Sequence, residues 1–105
     1  MFSINNVEWY IKFVPPFTYD LQRSDGSFSI GMTDSNTNTI YIDETLRGRK
    51  LKKVLCHELT HAAMFSYAIE LSIEQEEVLA DLIATYGEEI IEITNTIFNK
   101  LREVA

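Results

Sequence analysis

Several things are scarce in this chain. It has one cysteine, Cys56, among 105 residues, so no intrachain disulfide can form; this points to a reducing compartment. No apolar run approaches the roughly 20 residues that cross a bilayer. Asn5, Asn6, Glu8 and Lys12 interrupt the N-terminal stretch where a signal peptide needs an unbroken apolar segment. A cytoplasmic chain without membrane contact is expected. Basic residues are outnumbered, nine Lys and Arg against sixteen Asp and Glu, and the net charge of −7 argues against a general nucleic-acid binder. There is no repeat and no low-complexity tract. The length is that of one small domain, residues 1–105, able to bury a modest core.

Histidine is equally scarce, and its placement is informative. Both histidines of the chain lie in His57-Glu58-Leu59-Thr60-His61. On a helix, positions i and i+4 stack on one face about a turn apart. Two imidazoles so placed can offer nitrogens to one metal ion, and Zn²⁺ takes such ligands readily. Glu58 then lies beside the ion rather than on it, where a carboxylate can hold and deprotonate a bound water. One Zn²⁺ per chain is expected. Cys56, next in sequence to His57, points elsewhere on the helix and reads as a core residue.

The residues before this motif read as strands. Val7 to Val14 is rich in β-branched and aromatic side chains and stops at Pro15-Pro16. Phe17 to Leu21 reads as more extended chain, and Ser24-Asp25-Gly26-Ser27 as a turn. Phe28 to Thr33 and Thr39 to Ile42 form a second and third strand, joined closely enough to pair as an antiparallel hairpin. Gly31 suits an edge or a close backbone approach. Asp43 is a candidate cap for the metal helix, whose regular part is expected from about Arg49 to Tyr67 or Ala68. Leu51, Val54, Leu55, Leu59, Ala62 and Ala63 recur at helical spacing and face the sheet. The fold class is therefore α+β: a small N-terminal antiparallel sheet of about three strands, packed on the metal helix and on a long C-terminal helix.

That last helix begins at a capping box, Ser72 with Gln75. Its apolar stripe runs through Val78, Leu79, Leu82, Ile83 and Tyr86 and on to Ile90, Ile93, Ile97 and Leu101. Gly87 predicts a kink or break at a cost of about 1 kcal/mol. The late isoleucines read as core packing in preference to an oligomer face. Five of nine basic residues fall between Arg47 and Lys53 and eight acidic ones between Glu70 and Glu92, which reads as solvated helix faces.

A catalytic zinc site of two histidines needs a third protein ligand and an open position. A third histidine in the metzincin position is excluded, since Tyr67 stands there and Met64 replaces the required glycine. The third ligand is therefore a carboxylate. The metal helix runs on about 10 Å past His61, and the next helix returns about 7 Å by Glu77, at about 1.5 Å per residue. Glu76 and Glu77 both come level with His61. Glu77 is favoured because Asp81 follows it one turn on, where it can accept the other N–H of a metal-bound histidine.

His57-Glu58-Leu59-Thr60-His61 followed by Glu77-Val78-Leu79-Ala80-Asp81 resembles the gluzincin pattern of zinc peptidases. At this size the chain looks most like the minigluzincins, and is similar to small metallopeptidase-like proteins of phages and mobile elements. The resemblance spans roughly Phe28 to Tyr86. It implies a zincin-like fold and hydrolysis of protein or peptide substrates. It further implies that His57, His61 and Glu77 bind zinc, that Glu58 is general base and acid, and that Asp81 supports the first histidine. It also implies an edge strand above the cleft, here including Gly31, Met32 and Thr33, along which substrate lies extended. The chain departs from thermolysin in its shorter spacing from His61 to Glu77. It also lacks a third histidine for the oxyanion, which leaves a tyrosine or arginine, with Tyr67, Tyr86 and Tyr41 the tyrosines of suitable type. Two other readings compete with an active peptidase: a catalytically silent, zinc-stabilised interaction module, and a latent enzyme with its C-terminal segment in the cleft.

Overall fold

Residues 1–104 are described by a computed structural model. The chain forms β1 (Phe2–Ile4), β2 (Val7–Val14), a short 3-10 turn (Tyr19–Leu21), β3 (Gly31–Asp34), β4 (Thr39–Asp43), α1 (Gly48–Ser66) and α2 (Ile73–Val104). This is the α+β arrangement expected, with four strands where three were foreseen and a mixed sheet where an antiparallel one was. The order is β1-β2-β4-β3. β1 and β2 are antiparallel, β2 and β4 parallel, and β3 and β4 antiparallel.

The extra strand follows from Asn5-Asn6. Both residues have positive φ, 49° and 63°, as a two-residue hairpin turn that matches strand twist requires. Asparagine tolerates that region. The turn pairs Ile4 with Val7 and folds β1 onto β2. Between β2 and β4 the chain does not stay extended. Phe17 takes φ 63° and residues 19–21 coil into the 3-10 turn. The chain then returns through β3, so that β4 enters beside β2 in the same direction.

One sheet face receives α1. Trp9, Ile40, Ile42, Leu46 and Ala62 form the buried centre, with Val7, Ile11, Leu51, Val54 and Leu59 packed around it. Trp9 is fully buried and still satisfies its ring N–H, which donates to Ser66 Oγ at 2.8 Å; that hydroxyl donates in turn to Ala62 O at 2.8 Å. Asn5 Nδ2 donates to Ser66 O at 3.0 Å. The first hairpin is thus fastened to the last turn of α1.

Asp43 does not cap α1. Its carboxylate accepts from the N–H and hydroxyl of Thr45 at 2.8 and 2.7 Å, closing the turn that follows β4. Those two bonds lower its pKa below the ordinary value. α1 opens instead at Arg47-Gly48, with Gly48 at φ 60°. Its far end is a Schellman motif. Ile69 N–H donates to Met64 O at 2.9 Å and Ala68 N–H to Phe65 O at 3.1 Å. The residue in the left-handed region is Ala68, φ 52°.

α2 starts at the foreseen capping box, Ser72 N–H to Gln75 Oε1 and Gln75 N–H to Ser72 Oγ, both 3.1 Å. It runs antiparallel to α1 and continues through Gly87 as one helix of 32 residues. Its half-buried and buried positions are Glu76, Leu79, Ala80, Ala84 and Gly87. Small residues on this face let the two helices approach closely. No helix among the described residues is long and apolar enough to cross a membrane.

A left-handed alanine is strained in a way glycine is not. Ala68→Gly is expected to stabilise the fold by about 0.5–1 kcal/mol, read from urea unfolding; an unchanged or lowered midpoint would contradict the C-cap assignment.

Candidate metal centre

α1 and α2 together build the site. His57 and His61 lie one turn apart on α1, partly buried, with ring centroids 4.9 Å apart and their Nε2 atoms 3.2 Å apart. Glu77 projects from α2 between them. Its Oε2 is 3.2 Å from His57 Nε2 and its Oε1 3.0 Å from His61 Nε2. Tetrahedral coordination with bonds of about 2.0–2.1 Å sets ligand atoms about 3.3 Å apart. His57, His61 and Glu77 therefore lie close enough to hold one metal ion.

The outer nitrogens decide the character of this cluster. His57 Nδ1 is 2.9 Å from Asp81 Oδ1, and His61 Nδ1 is 2.6 Å from Glu76 Oε1. An ionised carboxylate only accepts, so each Nδ1 must carry its proton and donate. In the neutral form of the rings, the form that binds a metal ion, both Nε2 atoms are then bare. They face each other and a carboxylate that also only accepts. With both rings neutral, three lone-pair donors converge on one point, an arrangement that a cation satisfies. Of the two glutamates weighed from the sequence, Glu77 bridges the histidines, and Glu76 takes a task that the sequence reading did not give it, behind His61. Asp81 stands behind His57.

Glu58 is buried between α1 and β3. Thr33 Oγ1 lies 2.9 Å from Glu58 Oε1 and donates to it, with the Glu58 backbone O 3.1 Å from the same hydroxyl. Its other oxygen, Oε2, is 3.9 Å from His57 Nε2. Burial raises the Glu58 pKa above its ordinary value, opposed by the Thr33 hydrogen bond and the nearby histidines. Gly31 explains how the strand comes so near. A Cβ there would lie 2.8 Å from Val54 Cγ1 and 3.0 Å from Glu58 Cγ, so only glycine fits without displacing α1 or β3.

β3 is the sheet edge, paired only with β4. Gly31, Met32 and Thr33 line a cleft of about 710 Å³ that also includes the two histidines, Glu58 and Glu77. This volume is in the range of small-molecule and peptide subsites. Phe65, Ile69 and Ile73 give one wall an apolar surface, and Arg23 is the only basic side chain of the lining. Tyr67, at the end of α1, and Tyr86, on α2, are exposed and stand outside that lining, as does Tyr41 on β4. Arg23 lies in the loop before β3, where nothing local marks it as part of a site.

No family model, curated protein or solved structure matches this chain.

Two outcomes are expected. Glu58→Gln should raise the melting temperature of the metal-free protein near neutral pH. The sign follows from the raised pKa: the stability tied to neutral Glu58 is present in acid and lost as pH rises through that pKa. Wild type and variant should converge in acid; a constant difference would remove burial of the charge as its cause. Glu76→Gln and Asp81→Asn should each weaken metal affinity about 10–100-fold, measured by competition with a chelator. No change would leave the two carboxylates without a hold on the rings.

Proposed function

We propose that this chain is a zinc-dependent metallopeptidase, cleaving peptide bonds in an extended protein or peptide segment. The observation that carries the reading is the convergence of His57, His61 and Glu77, with the buried carboxylate of Glu58 alongside. A purely structural ion has no use for that fourth group. A zinc-type donor set of two imidazoles and a carboxylate leaves room for water. The ion supplies Lewis-acid activation of water and of the scissile carbonyl.

The chain's own residues do the rest. Glu58 takes a proton from the attacking water at Oε2 and returns it to the departing amine. Thr33 holds Oε1 and so fixes which oxygen faces the cleft. A raised pKa suits this double duty, since the group must accept a proton and keep it through the attack. Glu76 and Asp81 orient the two rings. The free edge of β3 offers backbone groups to an extended substrate, and Arg23 is the cleft's own cation for a developing oxyanion. The described C-terminal half of α2 gives no side chain to the cleft, so a strap-like latency has no support here.

The absence of a tyrosine from the cleft lining favours a second reading, a metal-stabilised interaction module that does no chemistry. One pair of variants separates the two. Wild type should hold one zinc per chain by mass spectrometry and Glu77→Ala much less. Glu58→Gln should keep its zinc and lose about 10²–10⁴-fold in peptide hydrolysis. Zinc without hydrolysis of any member of a peptide library leaves the module; full zinc in Glu77→Ala removes the site.

A further inference from the structure

The edge of β3 is not equally open along its length. Asp43 N–H donates to Ile30 O at 3.0 Å, and the register sets Gly31 against Ile42 and Thr33 against Ile40. In an antiparallel ladder the backbone groups of alternate residues point to the same side. Ile30, Met32 and Asp34 therefore turn their N–H and C=O toward β4. Gly31 and Thr33 turn theirs outward, to the side on which an added strand lies. Thr33 N–H and C=O have no partner among the described residues.

Gly31 differs. One hydroxyl serves both of its outward groups: Ser29 Oγ donates to Gly31 O at 2.5 Å and accepts from Gly31 N–H at 3.3 Å. A peptide strand added at this edge makes the same two bonds, one donated and one accepted. Ser29 thus sits where an added backbone belongs. It is held there from its other side, since its own N–H donates to Leu21 O at 2.8 Å. Ser29 is half-buried and Gly31 buried, and both line the cleft with His57, Glu58 and Thr33. The hold is uneven, because 3.3 Å is long for an N–H···O bond; a peptide carbonyl in a regular ladder comes to about 2.9 Å.

We infer that Ser29 is an internal competitor of the substrate: a peptide pairs with Thr33 unopposed and reaches Gly31 only by displacing the Ser29 hydroxyl. This rests on the peptide-binding part of the proposed function and is independent of hydrolysis. Ser29 is then a positioning residue that sets how tightly, and over how many residues, the edge grips an extended segment. The peptide residue that faces Gly31 lies two places from the one that faces Thr33. It must bring a backbone N–H of its own to take over the bond to Gly31 O. Proline or an N-methylated residue at that place has none, so it leaves Ser29 where it is.

Peptide binding to zinc-loaded Glu58→Gln, with and without Ser29→Ala, tests this. The probe is a library of synthetic decapeptides, and mass spectrometry reads what each protein retains. Removing the hydroxyl should tighten binding about three- to tenfold, the contribution of one hydrogen bond. The gain should vanish when the peptide is N-methylated two residues from its most sensitive position, where it faces Gly31. Fluorescence of buried Trp9 checks that both proteins are folded. A Ser29 that only braces β3 gives the opposite sign: the edge loosens without it and binding weakens, which overturns the proposal. Equal binding by the two proteins overturns it, as does a gain that survives methylation, and retention of no peptide by either removes the edge as a peptide site. Hydrolysis is scored separately on the wild type. Tighter binding on loss of Ser29, with no hydrolysis, leaves this inference standing and removes the peptidase reading.

Discussion

Proton placement on two imidazole rings governs the centre of this molecule. Each ring is held at its outer nitrogen by a carboxylate from the opposite helix, 2.9 Å for His57 with Asp81 and 2.6 Å for His61 with Glu76. Those two hydrogen bonds place a proton on each outer nitrogen, so that the neutral rings turn bare inner nitrogens toward Glu77. Everything else about the pair of helices serves that arrangement. Ala80 and Ala84 bring α2 close enough for three of its carboxylates to reach α1. The capping box at Ser72 fixes where α2 starts, and therefore at which level Glu76, Glu77 and Asp81 arrive.

The sheet meets the helices through one small residue. Gly31 permits contact between β3 and the Glu58 side chain, and Thr33, two residues along the same strand face, reaches the carboxylate. The edge strand is therefore attached to the general-base candidate and not merely near it. Behind the sheet contact, Trp9 and Asn5 grip Ser66 and hold the far end of α1. α1 is positioned at its middle by β3 and at its end by the first hairpin.

What could be read from the sequence was whatever has a short-range code. The histidines at i and i+4, the capping box and the strand alternation each carry their geometry within a few residues. Glu77 was reachable because helix rise converts sequence distance into length. Three features lacked such a code or had it overlooked. Asn5-Asn6 was a turn signal passed over because β1 is only three residues long. The parallel pairing of β2 with β4 depends on the whole path between them, including a left-handed Phe17. The apolar stripe of α2 was assigned to a core because periodicity shows that one face is apolar, never what covers it; α1 is simply too short to do so. Glu76 shows the same limit at closer range, since its neighbour His61 is on another helix.

The fastening of Ser66 to Trp9 joins residues 57 positions apart, whereas the donor set from His57 to Glu77 lies within one helical hairpin. Local contacts form early in folding and distant ones late. The helical hairpin that carries His57, His61 and Glu77 can therefore assemble before β2 finds β4. Glu58 would not yet have Thr33 beside it. Thr33 reaches the Glu58 carboxylate only once β3 has joined the sheet, so the site's last support arrives with the last strand.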